Sequence, residues 1–275
     1  MNALLEPLQY PFMQQALLMA ISVSLPCALL SCYIVLKGWA LMGDAIAHGI
    51  LPGIVLAAWA GAPLWSGAFA AGLICALGSG YLQRHSTLRP DTLLGIVFAA
   101  MFALGILLYR KIDSAQHLTH ILFGNLLGID AATRTQVLVM SALVILILAV
   151  KGRDFLLFIF DDIQARVAGL PVNRLNLLLL ALLALAVVAA LPAVGVILVV
   201  AMLITPGVSA QLVAKRFRDM LIIASLLATI ASSGGILASF HLDASPAACI
   251  VLLQSALFLL MLALRQWRIR QGRLG

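Results

Sequence analysis

The segment from Leu175 to Ala214 contains no charged residue and is too long for one membrane-spanning helix. A helical span needs about 20 predominantly apolar residues. The sequence LPAVG at 191–195 places a proline and a glycine in the middle of the segment, where they interrupt a helix. We therefore predict two consecutive spans, at 175–191 and 194–214.

The rest of the chain is nearly as apolar. Of its 275 residues, 64% are hydrophobic and only 10% are charged, whereas about a quarter of the residues in soluble domains are charged. This composition predicts one all-α, polytopic membrane domain over residues 1–275, surrounded by lipid and with no soluble domain. Together with the two spans above, we predict nine spans, with eight as the alternative; the others lie at 15–36, 41–60, 63–82, 92–110, 132–150, 220–240 and 245–265.

The basic residues orient these spans. Lysine and arginine concentrate in four segments, 83–89, 151–174, 215–218 and 265–273, which all fall on one side if the spans alternate. By the positive-inside rule that side is cytoplasmic. The C-terminus is then inside and the N-terminus outside, and Arg110 with Lys111 is a minor exception. The net charge of +7 therefore indicates membrane orientation and not a nucleic-acid partner.

The cysteines and the missing nucleotide motif exclude two kinds of site. All four cysteines lie in apolar segments without CxxC spacing, which favours small buried hydrophobic residues over a thiolate zinc site or a disulfide framework; they are Cys27, Cys32, Cys75 and Cys249. The sequence also lacks GxxxxGK[ST], the phosphate-binding motif of many ATPases. If the protein transports a solute, the energy comes from a partner or from a gradient.

The sequence GWALMGDAIAHGILPG at 38–53 carries an unusual pair of polar residues. Asp44 is the only formally charged residue between Lys37 and Arg84, and His48 follows it by four residues. Positions i and i+4 share one face of a helix. A charged side chain in the centre of a span costs about 2.5–3.5 kcal/mol on insertion scales, so a compensating interaction is required.

Two explanations account for this pair. The first is structural: Asp44 and His48 bond each other, or Asp44 lies near the interface and is solvated. The second is a cation site on a transport path, because a carboxylate oxygen with an imidazole nitrogen suits Mn²⁺, Fe²⁺ or Zn²⁺. Two ligands are too few for a closed site, and a two-fold dimer would supply four.

Two further groups are weaker candidates on the predicted outer side. His117 and His120 share a helical face and are either a metal entrance or two interfacial histidines. In the loop before the last span, His241 and Asp243 would dock a partner or ligate metal. The simpler interpretation is that Asp243 caps the following helix, ahead of Pro246.

The cytoplasmic loop at 151–174 contains the sequence DDIQARVAG. Acidic residues at its start favour a helix N-terminus, and the glycine and proline after it stop the helix. The pattern predicts a short helix parallel to the membrane, which is either a docking element or a plain connector.

Several long segments resemble a known family in the same order along nearly the whole chain. The first is ALMGDAIAHGILPG, the signature of the ABC-3 family of permeases. HLTHILFGNLLGI, FDDIQARVAGLPV, VGVILVVAMLITPG and FHLDASPAACIVLLQ follow it. Members of this family are membrane subunits of ATP-binding-cassette importers for Mn²⁺, Zn²⁺ and Fe²⁺. HLTHILFGN and FHLDAS are more similar to the manganese and iron members.

The resemblance implies a type II importer-like permease that pairs two-fold, with itself or with a related permease, in a bacterial inner membrane. Two cytoplasmic ATPase subunits would grip a coupling helix from Asp161 to Gly169, in which Asp162, Ala165 and Gly169 match the family pattern. An extracytoplasmic protein would deliver the metal. Asp44 and His48 correspond to the family's metal ligands in the pathway. The metal is cargo, and no permanent cofactor is implied.

Two other classes of function compete with this one. A gradient-driven secondary transporter would use Asp44 and His48 as a proton relay and would work without an ATPase. The sequence shows no inverted repeat to support it. An intramembrane metal hydrolase would need more ligands and a general base, as in HExxH, which is absent. A zinc importer of the same family remains the alternative cargo assignment.

Overall fold

The computed structural model describes residues 9–109, 124, 126 and 128–271, and over these residues it consists of helices and turns without any strand. The all-α prediction is therefore confirmed. The helices are α1 (Pro11–Lys37), α2 (Met42–Gly49), α3 (Leu51–Trp59), α4 (Leu64–His85), α5 (Pro90–Tyr109), α6 (Ala131–Phe160), α7 (Asp162–Val167), α8 (Val172–Gln211), α9 (Phe217–Leu242) and α10 (Pro246–Arg270).

Seven helical segments in the described residues are long and apolar enough to cross a membrane. They are Pro11–Lys37, Met42–Trp59, Leu64–Gln83, Thr92–Tyr109, Val172–Gln211, Phe217–Leu242 and Pro246–Arg270. The second combines α2 and α3. The chain is thus a multi-pass membrane protein, as the composition predicts.

Helix α8 is one continuous element of 40 residues, but Gly195 has non-helical dihedral angles, φ 72° and ψ 171°. A straight helix of this length would extend about 60 Å, twice the thickness of the hydrocarbon core. Its start follows α7 directly. Its second half passes the inner end of α1, where the Ser31 hydroxyl accepts from Gly207 N–H and donates to the Ile204 carbonyl.

The last turns of α8 thus lie near the end of α1. The start of α8 lies there too, because it follows α7, and Phe158 just before α7 contacts Lys37 at the end of α1. Both ends of α8 are therefore on the same side of the bundle. The two halves run in opposite directions, and the predicted spans 175–191 and 194–214 correspond to them. The break falls at the glycine of LPAVG. A left-handed φ is open to glycine at little cost, whereas it strains other residues.

The predicted span 132–150 lies in α6, which is not among the seven apolar segments. Arg134 and Lys151 limit its uncharged part to fewer residues than a full span needs. Nevertheless Thr133 lines a cavity with Trp65 near one end of α6, and Phe158 contacts Lys37 near the other. Helix α6 thus extends along the bundle, and the number of spans, nine or eight, stays a prediction.

Helix α8 is the centre of the packing. It contacts α1, α2, α4, α6, α7, α9 and α10. Both of its halves contain buried side chains, for example Leu183 in the first half and Val199 in the second. A helix that is hydrophobic on all sides is expected in such a central position.

Two local predictions are corrected by the structure. The expected loop at 151–174 begins later, because α6 continues to Phe160 and buries Phe155 and Phe158 against the bundle. Asp243 does not cap the following helix. It ends α9 in a left-handed conformation, φ 49°, and Ser245 is the N-cap residue of α10.

Helices α3 and α4 approach so closely that Gly53 and Gly67 leave no room for a Cβ atom at the point of contact. A Cβ atom on Gly53 would overlap the carbonyl oxygen of Gly67, and a Cβ on Gly67 would overlap the carbonyl of Gly53. Small residues at helix interfaces in membranes permit this backbone contact.

We expect Gly53→Ala to destabilise the chain by about 1–3 kcal/mol through overpacking. Gly78→Ala is the matched control, since no atom lies within 4 Å of its added Cβ, and it should be neutral or stabilising by up to about 1 kcal/mol. Thermal unfolding of the detergent-purified variants measures both effects. Equal melting temperatures would contradict the close approach of α3 and α4.

Candidate metal site

The polar pair is placed by a tight turn between α1 and α2. Gly38 adopts a left-handed conformation, φ 75°, and ends α1 by donating its N–H to the Val35 carbonyl. Helix α2 then begins at Met42, with Asp44 in its first turn and His48 in its last. An acidic residue in the first turn is favoured by the helix dipole.

Asp44 and His48 contact each other as the i, i+4 spacing predicts. His48 Nδ1 lies 3.2 Å from Asp44 Oδ1 and 3.1 Å from the Asp44 carbonyl oxygen. Because both neighbours of Nδ1 are acceptors, a neutral imidazole carries its proton there and presents an unprotonated Nε2. A metal-binding histidine commonly donates its other ring N–H to a carboxylate or a carbonyl in this way.

Two aromatic rings from α5 fix the imidazole from the side. The ring centroids of Phe98 and Phe102 each lie 5.7 Å from that of His48. They are distant from His48 in sequence, so the sequence analysis did not connect them with the site. In the sequence, their i, i+4 spacing indicates that the two phenylalanines share one face of an apolar helix.

The pair lies on a face that the described residues cover only in part. The Asp44 and His48 side chains are 30% and 33% exposed, whereas the three residues between them, Ala45, Ile46 and Ala47, are at most 2% exposed. Ionisable residues inside a membrane face the bundle interior, a water-filled cavity or a partner. This face is therefore suited to water or to a second chain.

The hydrogen-bond ladder of the helix is interrupted one turn after the pair. Between α2 and α3 the backbone bonds are Ile50 N–H to the Ile46 carbonyl and Ile54 N–H to the Ile50 carbonyl. Pro52 has no N–H, so the His48 carbonyl lacks the usual donor four residues later. Irregular backbone at membrane depth is tolerated only where protein or water surrounds it.

One chain does not complete a metal site within the described residues. They contain no group of three or more histidine, cysteine, aspartate or glutamate side chains arranged to hold an ion. The four cysteines are buried, as predicted, and the Cys75 thiol donates to the Ala45 carbonyl of α2. Asp44 and His48 thus offer one carboxylate and one imidazole, and further ligands have to come from water or from another chain.

Of the other candidates, only His241 and Asp243 lie within the described residues. His117 and His120 lie outside the described residues, as do Arg110 and Lys111. His241 is exposed in the last turn of α9, with its ring against Phe240. An apolar cavity of about 330 Å³ is lined by Ile54, Trp65 and Gln136 among others, and its described lining residues include no carboxylate or imidazole.

The short helix predicted at 161–169 is present as α7, and the four residues singled out there hold it together. The Asp161 carboxylate caps the helix by accepting from Gln164 N–H, and Asp162 pairs with Arg166 at 2.9 Å. Gly169, with φ 78°, ends it, and Ala165 is fully buried against the bundle.

The surface of α7 is formed by residues that the sequence analysis missed. Phe160, Ile163 and Val167 are 68%, 76% and 84% exposed. Large apolar side chains exposed on a short helix outside the membrane-spanning segments are unusual, and clustered ones indicate a protein contact. The signal in the sequence was the apolar i, i+4 pair in an otherwise polar segment.

Comparison with known proteins gives a consistent result over the whole chain. Residues 9–265 match the ABC 3 transport family. The chain is 54% identical to a probable iron transport system membrane protein of Haemophilus influenzae, covering 97% of this chain and 98% of that one. It is 40% identical to the manganese transport system membrane protein MntB of Synechocystis, covering 98% and 90%.

A solved structure is also similar over nearly the whole chain. PsaBC from Streptococcus pneumoniae, in complex with Fab, superposes with a TM-score of 0.86 at 35% sequence identity, and 95% of each chain is covered.

Exposure of the Asp44 face to water can be tested by thiol labelling. We expect Asp44→Cys and His48→Cys to react with a charged, membrane-impermeant thiol reagent in purified protein, because both positions are about one-third exposed. Ile46→Cys is the control, since Ile46 is fully buried. The native cysteines are buried and add little background. Equal labelling at all three positions, measured by mass spectrometry, would contradict the assignment.

Proposed function

The chain belongs to the ABC 3 transport family, and from this premise we propose that it is the membrane-spanning subunit of an ATP-binding-cassette importer for Mn²⁺ or Fe²⁺. The relatives named for iron and manganese transport cover nearly all of the chain. The observation that carries the proposal is the Asp44–His48 pair, an oxygen and a nitrogen ligand on an open face of an otherwise uncharged span.

The ligand chemistry of the pair agrees with this cargo. One oxygen of Asp44 orients His48, the other oxygen is free for the ion, and Nε2 of His48 supplies the nitrogen. Imidazole and carboxylate ligands suit Mn²⁺ and Fe²⁺, whereas soft thiolates are absent from the site. The same two ligands also accept Zn²⁺, so zinc is the alternative cargo.

Pairing of two chains would complete the site. If the open faces of α2 meet across a two-fold axis, two carboxylates and two imidazoles converge on one ion. The partner is a second copy or a related permease. Helix α5, beside the pair, is largely uncovered and exposes Ile96 and Leu107, so that either lipid or the partner chain covers it.

Transport requires a site that releases its ion, so we infer moderate affinity. Ligands contributed by two chains meet this need, because a change in the separation of the two α2 helices alters how many ligands reach the ion. The interruption at Pro52 and the aromatic contacts of His48 keep each ligand pair in one orientation during such a change.

The energy comes from partners, since a permease chain of this kind binds no nucleotide. We propose that two cytoplasmic ATP-binding subunits dock on α7 through the exposed side chains of Ile163 and Val167. An extracytoplasmic metal-binding protein delivers the ion at the outer side. The membrane is the bacterial cytoplasmic (inner) membrane, with the basic segments facing the cytoplasm.

The pathway is tested by metal uptake in cells that lack their own manganese and iron importers. The permease is expressed with its ATPase and its binding protein, and uptake of radioactive manganese, iron and zinc is compared. We expect Asp44→Ala and His48→Ala each to lower the initial rate by about tenfold or more, as loss of a metal ligand typically does.

Matched controls are His85→Ala and Asp219→Ala, which remove the same side-chain types from exposed positions near the cytoplasmic ends of α4 and α9. They should retain wild-type uptake. Normal uptake by the Asp44 and His48 variants would refute the pathway assignment. Uptake that persists with a catalytically inactive ATPase would instead favour a gradient-driven transporter, and a preference for zinc would change the cargo.

The docking surface on α7 is tested by copurification. We expect Ile163→Asp and Val167→Asp to reduce the ATPase recovered with the permease by about tenfold, since one well-buried contact residue is worth roughly 1–2 kcal/mol. Gln164→Asp introduces the same charge at a neighbouring exposed position without removing an apolar side chain. Equal losses in all three variants would show that charge, and not apolar contact, decides docking.

A further inference from the structure

A cationic side chain is held at the junction between the transport helices and the cytoplasmic helix. The Nζ atom of Lys37, the last residue of α1, lies 3.9 Å from the centroid of the Phe158 ring. Phe158 is only 2% exposed. A lysine over a buried aromatic face makes a cation–π contact that is stronger than one in water.

Phe158 is rigidly connected to α7. It lies in the last turn of α6, which ends at Phe160, and Asp161 then caps α7 through Gln164. Lys37 is therefore in contact with the end of α6 that leads into α7.

Aromatic packing fixes the surroundings of Lys37. One turn earlier on α1, the ring of Tyr33 packs edge-on against Phe155 at 6.1 Å and against Phe217 at 5.0 Å. Gly152 leaves room for the Tyr33 hydroxyl, since a Cβ there would lie 2.7 Å from it. Tyr33 thus contacts both α6 and α9 one turn before Lys37.

On its other side Lys37 is followed directly by the turn that leads to Asp44. Gly38 turns the chain, Trp39 N–H donates to the Ile34 carbonyl, and Met42 N–H donates to the Trp39 carbonyl. Asp44 follows in the first turn of α2. The connection from Lys37 to Asp44 is short and internally bonded, so a displacement of Lys37 is passed on to the carboxylate.

We infer that the Lys37–Phe158 contact transmits the movement of α7 to Asp44, which makes Lys37 a positioning residue for transport. This inference rests on the proposed function, because α7 moves only if an ATPase subunit drives it. When α7 is displaced, Phe158 carries Lys37 with it, and the turn at Gly38 changes the position of Asp44. Without the contact, ATP hydrolysis continues while α2 no longer follows.

The test measures ATP hydrolysis and metal transport on the same reconstituted complex of permease, ATPase and binding protein in proteoliposomes, with Mn²⁺ as the cargo. Lys37→Met keeps the aliphatic stem and removes the charge. We expect it to assemble and to hydrolyse ATP at near the wild-type rate, while the Mn²⁺ moved per ATP falls about tenfold, and Lys37→Arg to restore most of it, since arginine keeps the cation–π contact.

Two further variants separate coupling from stability. Phe158→Leu should reproduce the Lys37→Met result, because it removes the aromatic face and keeps an apolar side chain. Lys151→Met removes an exposed lysine paired with Asp154 on the same α6 helix and should leave transport per ATP unchanged.

Each outcome decides the matter. Unchanged Mn²⁺ transport per ATP in Lys37→Met overturns the inference. A parallel fall of ATP hydrolysis and transport overturns it as well, because it indicates that Lys37 has only a structural role. If the wild-type complex itself moves no Mn²⁺ on addition of ATP, the proposed function fails and the inference fails with it. If the wild type transports and Lys37→Met equals it, only the coupling role is lost.

Discussion

The cost of holding a carboxylate among apolar helices governs the organisation around Asp44. Helix α2, which carries Asp44, leaves one face partly exposed and places a histidine on that face one turn later. Two aromatic rings of α5 pack against the imidazole. Each feature reduces the cost of an ionisable group at depth, by a hydrogen bond, by orientation or by access to water or a partner. The surrounding helices have no such requirement and are packed by small and aliphatic side chains.

Features that depend on local sequence could be predicted. The break in α8 follows from the length of an uncharged segment and from LPAVG, and the structure places it at Gly195. The contact between Asp44 and His48 follows from the i, i+4 geometry alone. The short helix α7 follows from acidic residues at its start and a glycine at its end. In each case the determining interactions lie within one or two turns of helix.

Features that depend on tertiary packing could not be predicted. Helix α6 continues to Phe160 because Phe155 and Phe158 are buried against other helices, and the local sequence does not predict this burial. Phe98 and Phe102 reach His48 only after α5 packs beside α2. The exposed side chains of Ile163 and Val167 look like ordinary apolar residues until the fold leaves them uncovered. His117 and His120 stay a prediction, since they lie outside the described residues.

Both proposed metal ligands of a chain come from a single turn of helix, and this has an evolutionary consequence. Their positions bear less of the packing than the residues between them, which are the fully buried ones. A change of ligand type at either position would alter metal preference while leaving the bundle intact. Descendants of one such scaffold can therefore diverge in cargo by one or two substitutions, without passing through misfolded intermediates.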